Sequence, residues 1–153
     1  MRTRWALSVT VLAGVLTLGV PAVAHAESPI ELGGAYVVDR AGVLSGGDGN
    51  SIVSALDSLY ERAGIQLLVY VDSFTGSSDW ANDTAILNRL GTNDVLLAVA
   101  VSDRNYELST DADFGLTDAQ LSTVERAIES ELRNDNWAQA AIVGAQTLES
   151  EAV

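Results

Sequence analysis

Hydrophobic and polar residues recur with two different periods along this chain, and the switches between them mark its elements. Residues 35–39, Ala-Tyr-Val-Val-Asp, read as a short strand, and residues 40–44 as a turn. Ser45 with Asp48 three positions on marks a helix start, after which Ile52, Leu56, Leu59, Tyr60 and Ala63 repeat at helical spacing until Gly64 stops them. Residues 65–71 alternate as a strand, with Ile65, Leu67, Val69 and Val71 on one side and Leu68 and Tyr70 on the other. A second helix is predicted over residues 79–90, burying Trp80, Ala81, Thr84, Leu87 and Leu90. Residues 95–101 are apolar throughout, as suits a central strand covered on both faces, and residues 106–110 return antiparallel to it. Thr117 and Gln120 form a capping box, with Leu116 and Leu121 as its hydrophobic staple, opening a helix through Val124, Ile128 and Leu132. A last helix presents Trp137, Ala141, Ala145 and Leu148 on one stripe. Strand–helix–strand units imply right-handed parallel crossovers. The expected fold is an α/β sandwich with helices on both faces of the sheet.

One apolar stretch stands outside this pattern. Arg2 and Arg4 precede a nearly unbroken run over residues 5–20, which Pro21 ends before Ala24-His25-Ala26. Basic start, apolar core and small-x-small site together read as a Sec-type signal peptide over residues 1–26, cleaved after Ala26. The rival reading is an uncleaved anchor, since the run is near the shortest span of a bilayer. Residues 27–34, with Pro29 and the Gly33-Gly34 pair, read as a flexible lead-in, leaving one domain over residues 35–150. The product is expected to be secreted or held in the cell envelope, without stable membrane insertion.

Composition then removes most chemistry. The whole chain carries 21 acidic against 8 basic residues, a net charge of −13, and no cysteine. Its single histidine, His25, falls within the cleavage site, and there is no lysine. A serine or threonine nucleophile therefore has no nitrogen base to activate it, which argues against serine-hydrolase chemistry. So acidic a surface repels phosphate backbones and anionic lipid, so no nucleic-acid partner is expected. Cations and basic protein patches are what it attracts.

Several strings resemble the TPM-domain family. They are Tyr36-Val37-Val38-Asp39 with Gly42-Val43-Leu44-Ser45, then Trp80-Ala81, Asn93-Asp94-Val95-Leu96-Leu97-Ala98-Val99-Ala100, Asp103-Arg104 and Leu116-Thr117-Asp118-Ala119. In order and spacing they cover residues 35–149. The resemblance implies a four-stranded mixed sheet between about four helices, and envelope roles in protein maintenance or complex assembly. It also implies divalent-cation binding or acid phosphatase activity as possible properties. Two loops depart from the family pattern: Asp94 stands where a glycine is usual, and Asp111-Ala112-Asp113-Phe114-Gly115 replaces a glycine-rich segment. These residues also contain no counterpart of the C-terminal membrane helix of many relatives.

Ligands of open α/β sheets bind beyond the carboxyl ends of parallel strands. Asp39, Asp72 and Asp103 leave those ends and form a candidate all-oxygen site for Ca²⁺ or Mg²⁺, with Arg104 beside them as a grip for an anion. The alternative is that each aspartate simply satisfies amides of its own turn. Asp94, Asp111 and Asp113 form a second acidic edge, but the spacing does not make an EF-hand: the bidentate position is Ser122. Trp80, Trp137 and the tyrosines read as packing residues. The leading expectation is a monomeric, non-enzymatic envelope module that binds a protein partner and, weakly, a divalent cation. The alternative is a metal-assisted phosphohydrolase working through Asp39, Asp72, Asp103 and Arg104.

Overall fold

A computed structural model describes residues 28–73 and 79–153. The signal-peptide reading therefore lies outside the described residues. The order of elements is β1 (Val37–Asp39), α1 (Asp48–Ala63), β2 (Gln66–Asp72), α2 (Trp80–Leu87), β3 (Asp94–Ala100), β4 (Asn105–Thr110), α3 (Asp118–Leu132) and α4 (Trp137–Ala152). The four strands form one mixed sheet in the order β1-β2-β3-β4, parallel from β1 to β3, with β4 antiparallel to β3.

Local chemistry sets the boundaries. The Ser45 amide and hydroxyl both donate to Asp48 Oδ2 at 2.7 Å, which holds that carboxyl below its ordinary pKa as α1 begins. Gly64 ends α1 in the left-handed region at φ 67°, its N–H reaching the Tyr60 carbonyl. The capping box at Thr117 and Gln120 is present as the sequence predicts. α2 is shorter than the 79–90 reading. Asn88 turns its side-chain amide back onto the Thr84 carbonyl, Arg89 takes φ 54°, and Leu87 is left exposed.

Strand alternation divides the core in two. Leu67, Val69, Val71, Val95, Leu97 and Val99 face α1, α3 and α4, which bring Ile52, Leu56, Leu59, Val124, Ile128, Ala141 and Leu148. Leu68, Tyr70, Leu96, Ala98 and Ala100 face the other way, onto Trp80 and Ala81 of α2, with the Tyr70 and Trp80 rings stacked at 5.0 Å. α4 lies between α1 and α3. Its Gly144 brings α4 so close to α3 that a Cβ there would meet Ile128 Cδ1 and Cγ1 at 3.1 Å.

Two sequence expectations change here. Both parallel crossovers move along the sheet in the same direction, yet α1 lies on one face and α2 on the other. The two connections therefore have opposite hand, and one of them is left-handed, against the general right-handed rule. The physical reason is burial. The first face is filled by three helices, and five apolar strand residues on the second face need a cover, each gaining about 1–3 kcal/mol from it. The second change concerns the lead-in predicted as flexible. Leu32 is buried, its N–H donates to Asn88 Oδ1 at 2.8 Å, and Asn88 Nδ2 donates to the Ile30 carbonyl at 2.7 Å. Trp80 Nε1 donates to the Ser28 carbonyl at 3.2 Å. The segment completes the thin layer over the second face.

Candidate functional site

The sheet brings Asp39, Asp72 and Asp103 to one edge, but its register separates their side chains. Asp39 pairs with Val71, so it points to the α1 face, whereas Asp72 pairs with Ala100 and points to the α2 face. Two of the three carboxylates are occupied locally. Asp39 accepts from Gly42 N–H through one oxygen and Leu44 N–H through the other, both at 2.8 Å. Asp72 accepts the Tyr70 hydroxyl at 2.6 Å and the Ser73 N–H at 2.7 Å. Asp103 is exposed in the β3–β4 turn. Arg104 pairs with Asp135 at 3.0 Å, both side chains more than half exposed.

The second acidic edge behaves the same way. Asp94 accepts the Gly91 N–H at 2.6 Å, and Asp111 accepts the Asp113 N–H at 2.9 Å within its own turn. Among the described residues, no three acidic, histidine or cysteine side chains gather closely enough to hold a metal ion. The geometry thus favours the turn-satisfying role of Asp39, Asp72, Asp94 and Asp111 over a shared three-carboxylate shell.

Concave surface lies instead along the sides of the sheet. A pocket of about 210 Å³ opens between the β1 edge and α1, lined by Tyr36, Val53, Leu56, Asp57, Tyr60, Gln66 and Leu67. Tyr36 is 51%, Val53 42% and Tyr60 60% exposed, so three of the large apolar side chains left at the surface meet in one place. The sequence reading took both tyrosines as packing residues. The available signal was that Val53, Asp57 and Tyr60 each follow a member of the buried Ile52–Leu56–Leu59 stripe by one residue.

A second groove, about 590 Å³, follows β4 from Asn105 to Thr110 between Ala81 and Asn82 on one side and Glu125 and Glu129 on the other. Glu107 sends one oxygen to the Ala81 N–H at 2.7 Å, capping the first turn of α2 in place of Asp79, whose side chain makes no cap bond. Its other oxygen and the Thr84 hydroxyl are buried with no hydrogen-bond partner among the described residues. The Tyr106 hydroxyl donates to Glu129 Oε1 at 3.0 Å. Burial, then the Glu129 carboxylate, pushes the Tyr106 phenol well above its ordinary value.

A family profile for the TPM domain matches residues 37–151, from the start of β1 into the last turn of α4. The chain belongs to the TPM-domain family. It is 39% identical over 144 residues to the UPF0603 protein Rv2345 of Mycobacterium tuberculosis, and equally to the MT2410 protein of another strain. The match covers 91% of this chain but 21% of either relative, so the chain spans about a fifth of the curated proteins it resembles. Among solved structures, the N-terminal domain of cg2496 from Corynebacterium glutamicum superposes with a TM-score of 0.69 at 25% identity. That alignment covers 84% of this chain and 86% of that one. BA42 from Bizionia argentinensis superposes at 0.66 with 20% identity, covering 71% and 81%, and supports the TPM fold alone. Among the described residues, no helix is long and apolar enough to cross a membrane.

Proposed function

We propose that this TPM domain is a protein-contact module of the cell envelope, with the Tyr36–Val53–Tyr60 pocket as its docking point. The observation that carries the reading is the convergence of those three exposed side chains around one concavity. Tyrosine suits a contact surface because it supplies large apolar area at little conformational cost and keeps a polar tip for a partner. Asp57 at the same pocket adds a carboxylate, so a partner residue that is both apolar in its stem and positive at its tip, arginine or lysine, complements the site. The envelope part of the proposal rests on the signal-peptide pattern of residues 1–26.

A photo-crosslinking residue placed at Val53 tests this in the producing cell. Adducts with a defined envelope protein, lost on adding Tyr36→Ala and Tyr60→Ala, support the reading. Adducts indifferent to the two substitutions, or none at all, overturn it.

Divalent cation is a secondary part of the proposal, and its form differs from a cage. A domain this acidic concentrates Ca²⁺ or Mg²⁺ through its overall field, with ions held weakly at separate loop carboxylates. Amide NMR with added Ca²⁺ should then show small shifts in several aspartate loops that grow without saturating below about millimolar metal. One saturable tight site involving Asp39, Asp72 and Asp103 together would contradict it. The phosphohydrolase alternative needs those three carboxylates around one ion, and the placement of Asp39 and Asp72 on opposite faces lends it no support.

A further inference from the structure

We propose that β4 is a docking edge for an extended, basic segment of a second protein, which adds to the sheet as a fifth strand between α2 and α3. The two ends of the sheet differ. β1 offers three residues, too few for a stable addition, whereas β4 runs for six in unbroken register with β3. The Tyr106 N–H is engaged by the Asn105 side chain at 2.9 Å, which places it outside the β3–β4 ladder. Antiparallel alternation then turns the N–H and C=O groups of Leu108 and Thr110 to the same free side. No proline or bulge interrupts this edge. Glu107, the one charge on the α2 side of β4, is turned onto the Ala81 N–H rather than across the edge.

Charge selects the occupant. Glu107, Glu125 and Glu129 line the groove and no lysine or arginine does. A second copy of this chain pairing β4 to β4 would bring the same carboxylates face to face, at a cost. Glu129 is already held by Arg133 at 3.0 Å and by the Tyr106 hydroxyl, so a strand with arginine or lysine at alternate positions sets its charges chiefly against Glu125, while its backbone pairs with Leu108 and Thr110. This surface is separate from the tyrosine pocket, so Tyr36→Ala with Tyr60→Ala leaves it intact and the two proposals fail independently.

The test uses a capped octapeptide of alternating valine and arginine, titrated into the isotope-labelled chain. Expected are slowed hydrogen exchange and shifted amides at Leu108 and Thr110. Methylating the peptide nitrogens on one edge should weaken binding on the order of tenfold for each hydrogen bond removed, which mere charge attraction would not show. Glu125→Lys should weaken it also, with the fold checked by unchanged amides in β2. Equal binding by the N-methylated peptide or by its glutamate counterpart overturns the proposal. So does the absence of any protection at Leu108 and Thr110 at millimolar peptide, or their protection by self-association without peptide.

Discussion

Asn88 is the residue whose removal tests the account of the second face most directly. Its side chain makes three hydrogen bonds: it accepts from Leu32 N–H at 2.8 Å and donates to the carbonyls of Ile30 at 2.7 Å and Thr84 at 2.8 Å. Two of these tie residues 28–35 to the end of α2, and the third stops the helix. Each such bond contributes about 1 kcal/mol net, and a buried carbonyl left unpaired costs about as much again. Leu32, at 6% exposure, adds about 1.5–3 kcal/mol of apolar burial that depends on the same anchor. Asn88→Ala should therefore lower stability by at least about 3 kcal/mol, a fall of roughly 1–3 M in the urea midpoint. Asn88→Asp is the sharper probe. It keeps the acceptor for Leu32 but turns an acceptor toward two carbonyls, so it should cost at least as much as alanine at neutral pH. Urea unfolding followed by tryptophan fluorescence, with limited proteolysis after residue 28, reads both effects. An Asn88→Ala protein within about 0.5 kcal/mol of wild type and equally resistant to cleavage would show that the segment does not hold the layer.

Three further outcomes follow from the geometry. Thr117→Ala removes the capping box and should cost about 1 kcal/mol, visible as a lowered thermal midpoint, while Thr117→Ser should restore most of it. Gly144→Leu drives a side chain into Ile128 and should cost about 1–3 kcal/mol by overpacking; pairing it with Ile128→Ala should recover part of the loss in a double-mutant cycle. Tyr106 titrates above its ordinary 10.0 in the folded protein, so its contribution is complete below about pH 10 and is lost as pH rises toward the folded value. Stability measured across alkaline pH should accordingly fall more steeply for wild type than for Tyr106→Phe, and parallel curves would refute the burial argument.

Much of the architecture was legible because period and capping are local signals. The Ile52–Leu56–Leu59 stripe, the alternation along residues 66–71 and the Thr117–Gln120 box each depend on residues within a few positions of one another. What the chain did not disclose depends on relations between distant segments. The hand of a crossover is decided by which face has room, and the docking of Leu32 requires Asn88, 56 residues away. The acidic candidates show the limit most clearly. Position at a strand end was read correctly, yet a shift of one residue in phase between Asp39 and Asp72 sends them to opposite sides. Glu107 was likewise hidden, because capping α2 from a strand 26 residues away leaves no pattern at helical spacing.

The place of α4 between α1 and α3 has a consequence for how the chain acquires its structure. A polypeptide emerging from its N-terminus has Ile52, Leu56 and Leu59 in hand early, but their main opposing wall is α4, the last of the described helices. The larger core must stay open until α4 has been made, and a chain that stops short of it has no stable half to settle into. Cutting before Trp137 should thus yield an aggregation-prone fragment rather than a smaller folded unit.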